Sequence, residues 1–156
     1  MWRHVLAGAA AGAAGTTALN AVTYADMVLR GRPGSSTPEQ SVEAMESRLP
    51  VSVPGRGETR DNRITGLGSL SGIVTGVGIG AVFGMLRRAG LRPPTPVGAV
   101  LVGLTAMAST AVSMARLGVS DPRTWSADDW LSDLAPHLAY GAVTYATLEG
   151  LDRRAR

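Results

Sequence analysis

Asp133 and His137 form a carboxylate–imidazole pair inside an otherwise apolar stretch. Their i,i+4 spacing puts both side chains on one face of a helix. An imidazole so placed is a candidate pH-sensitive or proton-carrying element; the plainer reading is a pair turned toward neighbouring helices or a headgroup layer. Metal binding is not expected, because His4 and His137 are the only histidines and fall near opposite faces of the expected fold. The absence of cysteine removes disulfides, thiolate metal sites and thiol nucleophiles. Gly8-x-x-x-Gly12 is followed by no lysine, so it is not a phosphate loop. No serine–histidine–acid order stands in a nucleophile context. The charge surplus of +3 is small, scattered and without aromatic interleaving, which argues against nucleic acid. No catalytic residue, metal or cofactor is assigned, and an enzyme is not the expectation.

Uncharged polar residues remain. Thr16, Thr17 and Asn20 lie in one apolar run, Ser69, Ser71 and Thr75 in a second, and Thr105, Ser109, Thr110 and Ser113 in a third. Hydroxyls in such runs bond back to their own helix or across to another. The Asn20 amide is harder to satisfy alone, so it is expected to face protein. Two readings of Thr16, Asn20, Asp133 and His137 stay open: glue between helices, or a polar path.

The elements that hold these residues follow from the apolar distribution. Of 156 residues, 45% are apolar and only 17% charged, and all 15 cations are arginine. The apolar residues collect at 5–25, 64–86, 97–115 and, more weakly, 131–148. A bilayer core of roughly 30 Å needs about 20 helical residues. The spacing therefore predicts an all-α polytopic membrane protein, a single domain over 1–156 built as a four-helix transmembrane bundle. A soluble bundle would need amphipathic surfaces that three uncharged runs do not supply. A cleaved signal peptide over 1–21 is the other alternative; its apolar run is long, and Ala18-Leu19-Asn20-Ala21 makes a poor cleavage site.

The second run carries the most specific pattern. Gly68, Gly72, Gly76, Gly80 and Gly84 recur every four residues, and Gly8 and Gly12 begin a shorter version in the first. Lipid offers no hydrophobic drive between helices, so close backbone approach must hold them. The stripe is expected to pack helices, with the second span as the central one and Gly76 midway along its seam. An oligomeric seam is the alternative.

The polar loop 26–63 contains Thr37-Pro38-Glu39-Gln40, which reads as a helix start with proline in its first turn. Val42, Met45 and Leu49 then form one apolar stripe, closed by Pro50, so a short amphipathic helix is expected. Ser126-Ala127-Asp128-Asp129 reads as the start of the fourth helix. Four spans put both termini on one side with Arg87, Arg88 and Arg92. That side holds seven arginines and two carboxylates (net +5), the other eight arginines and ten carboxylates (net −2). Arginine counts alone do not orient the chain; the net difference favours cytoplasmic termini. Trp2, Trp125, Trp130, Tyr24 and Tyr145 are placed as an interfacial aromatic belt.

Short echoes suggest a duplicated helical hairpin. Val5-Leu6-Ala7-Gly8 resembles Val100-Leu101-Val102-Gly103, and Gly80-Ala81-Val82 matches Gly141-Ala142-Val143. Such a duplication would give a pseudo-twofold axis along the membrane normal. A third match, between 21–25 and 142–146, pairs helices of opposite direction and reads as coincidence.

The lysine-free, alanine- and glycine-rich style, with Gly15-Thr16-Thr17-Ala18-Leu19-Asn20-Ala21-Val22-Thr23-Tyr24 and Ser35-Ser36-Thr37-Pro38-Glu39, resembles small four-span membrane proteins of high-GC actinobacteria. The resemblance covers the first third by motif and the rest by layout, and it implies a host class without an activity. The expected function is that of a structural or accessory subunit in a membrane assembly, with the lipid bilayer and another membrane subunit or a second copy as partners. The alternative is a small oligomeric channel or transporter.

Overall fold

A computed structural model describes residues 1–154. Among them are five α-helices and no strand: α1 (Trp2–Arg30), α2 (Thr37–Glu46), α3 (Glu58–Arg88), α4 (Thr95–Leu117) and α5 (Ala127–Arg154), with a 3-10 turn at Pro122–Thr124 before the last. Three helices, α1, α3 and α4, are long and apolar enough to cross a membrane. α5 is 28 residues long, but its composition is more polar.

Local chemistry sets the boundaries. Gly31 and Gly118 end α1 and α4 in the left-handed conformation, at φ 62° and 74°. Ser126 opens α5 as anticipated: its hydroxyl accepts from the Asp129 amide at 3.2 Å, and the Asp129 carboxylate accepts from the Ser126 amide at 2.9 Å. The two residues cap one another. At α2 the start falls one residue earlier than expected. Ser36 is the N-cap, the Gln40 amide donates to its hydroxyl at 2.8 Å, and Pro38 occupies the first turn.

The long helices pack in the order α3, α1, α5, α4. α1 lies antiparallel against α3 on one flank and α5 on the other. α5 lies between α1 and α4, whereas α3 and α4 touch sparsely. α2 crosses the gap between α3 and α4 at the loop end. Just beyond it, Arg48 donates to the Arg116 and Leu117 carbonyls at 2.9 and 3.0 Å, occupying acceptors that the end of α4 leaves free.

Burial is inverted relative to a water-soluble bundle. Gly8, Ala11, Gly12 and Gly15 are the buried residues of α1, and five of the seven on α3 are glycine or arginine. Leu67, Leu70, Ile73, Val74, Val82 and Met85 of α3 lie outside. The second span is therefore not central, which corrects the expectation from its glycines. The inner helices are α1 and α5, and Tyr140, Thr144, Tyr145 and Leu148 of α5 are almost fully buried.

Candidate functional site

The seam between α1 and α3 is built from backbone. A methyl group on Gly12 would press into the Gly76 carbonyl oxygen and stand 3.0 Å from the Val77 Cα. One on Gly80 would stand 2.6 Å from the Gly12 nitrogen, and one on Gly84 2.9 Å from the Gly8 Cα. Gly8 in turn faces Gly80, with the Ala81 Cα at 2.8 Å. At Gly8, Gly12, Gly80 and Gly84 backbone meets backbone with no room for a side chain. The other two striped glycines lie elsewhere. Gly68 packs against the Pro38 backbone at the start of α2, at 3.0 Å, and Gly72 has open space beside it. At Gly76 a methyl would meet the Thr16 hydroxyl, not backbone.

A second seam, between α4 and α5, repeats the first. A methyl on Gly103 would stand 2.6 Å from the His137 carbonyl oxygen and 3.3 Å from the Leu138 Cα. One on Gly141 would meet the Ala99 carbonyl and stand 2.8 Å from the Gly103 Cα. These are the relations of Gly12 to Gly76 and Val77, and of Gly80 to Gly8 and Gly12. Gly103 is thus the counterpart of Gly12, not of Gly8, and Gly141 is the counterpart of Gly80. The Gly80-Ala81-Val82 echo falls on equivalent places, while the Val5–Gly8 echo is displaced by one helical turn. The third echo is put to different uses: Tyr24 is 60% exposed and Tyr145 1%. Gly103 and Gly141 escaped the spacing argument because each supplies one small surface, without a four-residue repeat. Twofold symmetry is not kept between hairpins, since α1 packs closely on α5 while α3 and α4 scarcely meet.

Polar groups line the interior face of α5. The Tyr140 hydroxyl donates to the Gly76 carbonyl at 2.6 Å, joining α5 to α3 across the bundle. Gly15 makes room beside it: a methyl there would collide with the Thr144 hydroxyl and with the Tyr140 ring. Thr144 Oγ1 is buried without a hydrogen-bond partner. His137 is buried, with Nδ1 2.7 Å from the Asp133 carbonyl oxygen and 3.4 Å from its Oδ1. The second carboxylate oxygen of Asp133 is buried and unpartnered. The pair therefore faces protein. Thr16 donates to the Gly12 carbonyl at 2.9 Å, and Thr17, Ser71, Ser109, Thr110 and Ser113 likewise bond within their own helices. Asn20 is half-buried and makes no side-chain hydrogen bond among the described residues. His4 lies in the first turn of α1, far along the chain from His137. Among the described residues, no three of the histidine and carboxylate groups gather as a metal site.

One interaction lay outside the sequence reading. Arg87, at the end of α3, is 6% exposed; its Nε and Nη2 donate to Asp152 of α5 at 3.0 and 2.9 Å. The guanidinium lies 4.9 Å above the Tyr145 ring, a favourable cation–aromatic arrangement. Tyr145 is itself buried and donates to the Pro93 carbonyl at 2.6 Å, so it belongs to the core and not to an interfacial belt. Gly98 presents bare backbone to its ring. Local spacing does not mark Asp152 for this role, because its partner is 65 residues away in sequence.

Ion pairs at the loop end tie connectors to helices. Asp26 takes Arg30 at 2.7 Å and also Arg32, and these hydrogen bonds hold its carboxyl below the usual range, Arg30 contributing most. Glu46 is held low first by the Val53 amide at 2.7 Å and then by Arg60 at 2.6 Å. Trp125 and Trp130 meet edge to face at 5.1 Å. No protein-family model, curated protein or solved structure matches this chain.

Proposed function

We propose that this chain is a four-span membrane protein acting as a structural or accessory subunit of a membrane assembly. The observation that carries the reading is its inverted packing. Glycines and alanines occupy the α1–α3 seam, while leucine, isoleucine and valine cover the outside of α3. Water would not tolerate so large an apolar surface on a monomer; lipid and partner helices would. α5 is the fourth span in this reading, its polar residues sheathed by α1 and α4. The glycine seam then acts as a zipper within one copy, leaving the outer face of α3 for a partner subunit.

Both termini lie in the cytoplasm in this reading, with Arg87, Arg88 and Arg92 on the same side. The cysteine-free chain makes this directly testable: a single cysteine at Ser52 should label from outside intact cells, and one at Arg92 only after lysis. Purification of untagged neighbours in gentle detergent, with identification by mass, tests the subunit role. A fixed stoichiometric membrane partner is the expected result; a lone copy throughout purification overturns it.

The Tyr140 ring is buried against Gly15 and bonded to Gly76, which supports packing over a solute path through one copy.

A further inference from the structure

Beyond the α1–α3 seam, the outer side of α3 carries a groove of about 530 Å³. Its floor is Gly66, Leu67 and Leu70 of α3, and its far wall is Val42 of α2 with Leu49 and Val51 of the following loop. The groove is open along the protein surface and its lining is predominantly apolar. The wall is held in place by polar contacts, among them those of Glu46, which itself lines the groove. Glu46 accepts from the Val53 amide and from Arg60, and Gly68 seats the start of α2 on α3.

Arg63 also lines this groove, one turn before Leu67. Its guanidinium donates to the Pro54 carbonyl at 2.7 Å and has no carboxylate within ion-pair distance among the described residues. Nearby Arg60, by contrast, is neutralised by Glu46 and Glu43. The groove thus joins an apolar trough to one cation without a carboxylate partner, while the Glu46 carboxylate that also lines it is engaged by Arg60. That combination matches an amphiphile with an acyl chain and an anionic head. Gly66 deepens the trough, since nothing lies within 4 Å of where its Cβ would be.

We propose that this groove holds one acyl chain of an anionic glycerophospholipid, with the lipid phosphate on Arg63. The proposal rests on the membrane reading above. Arg63 stands immediately before the apolar run that begins at Ile64, which is the depth of a phosphate layer, and Leu67 and Leu70 continue along the exposed apolar surface of α3. Guanidinium and phosphate form strong charge-assisted hydrogen bonds, so the head group fixes the lipid while the trough orders its chain.

The test is native mass spectrometry of the delipidated, detergent-solubilised protein offered equal phosphatidylglycerol and phosphatidylcholine. The protein should retain a single phosphatidylglycerol in preference. Gly66→Leu should fill the trough and weaken retention about tenfold, which is 1.4 kcal/mol, with helicity and melting unchanged. Arg63→Gln should abolish the preference for the anionic head. Gly72→Leu, on open α3 surface outside the groove, should bind as the parent does. Val51→Asp, on the exposed loop wall, repeats the blockade without altering a helix. Undiminished binding by folded Gly66→Leu and Val51→Asp, or a retained preference in Arg63→Gln, overturns the proposal. Stability in plain buffer without detergent overturns the membrane reading itself, whereas a detergent-dependent protein without these lipid effects overturns the groove alone.

Discussion

The hydroxyl of Tyr140 on α5 and the carbonyl of Gly76 on α3 lie 2.6 Å apart, across the middle of the bundle. Gly76 has no side chain to block that carbonyl, and Gly15 clears the space in which the Tyr140 ring lies. The two glycines therefore do more than let backbones approach. They admit an aromatic side chain that satisfies itself on a helix it otherwise scarcely touches. Tyr140→Phe keeps the ring and removes the bond. It should lower stability in detergent by about 1 kcal/mol, read as a drop in melting temperature without loss of helicity.

The glycines of α3 should differ sharply in tolerance. At Gly80 a methyl meets Gly8 and Gly12 backbone, which cannot turn aside, whereas at Gly76 it meets the Thr16 hydroxyl and at Gly72 nothing. Gly80→Ala should cost roughly 1–3 kcal/mol through overpacking. Gly72→Ala should be neutral or stabilising by up to about 1 kcal/mol, because alanine is the better helix former. Thermal melting of both variants in one detergent checks the order. Gly80 should therefore be more sensitive than Gly76 or Gly72.

The matching seam makes a parallel prediction. Gly141→Ala should destabilise to a degree comparable with Gly80→Ala, since it meets the Ala99 carbonyl and the Gly103 backbone. A mild effect at Gly141 beside a severe one at Gly80 would show that the two hairpins are not energetically equivalent.

Asp152→Asn leaves Arg87 buried without its carboxylate, so it should cost roughly 2–3 kcal/mol. Replacing both groups, as Arg87→Met with Asp152→Leu, should recover most of that loss, because a buried pair contributes little beyond an apolar substitute of similar volume. The melting temperatures of the single and double variants form the test.

Acidification should release the loop after α2. The Glu46 carboxyl is held below its usual value by the Val53 amide and Arg60, so its contribution is present above the ordinary glutamate range. It is lost as pH falls through the depressed value. Amide exchange at Val53, corrected for intrinsic rate, should lose protection over that acidic interval. Glu46→Gln should remove the pH dependence.

Apolar run length alone placed α1, α3 and α4, because a helix in lipid must satisfy its backbone internally and advertises this as an uncharged segment. The start of α5 was legible because Ser126 and Asp129 cap one another within one turn, whereas the cap of α2 is Ser36, one residue before the expected Thr37. Which helix would be surrounded was not legible. Gly72 and Gly80 belong to the same stripe, yet one faces open space and the other bare backbone. Only the packing of α1 between α3 and α5 separates them. Asp152 and Tyr145 resemble surface residues by position and become interior ones because Arg87, 65 and 58 residues earlier, folds over them. Chain periodicity encodes what each helix can bury, but partner choice depends on the shapes of two surfaces at once, and that information exists only when the helices meet.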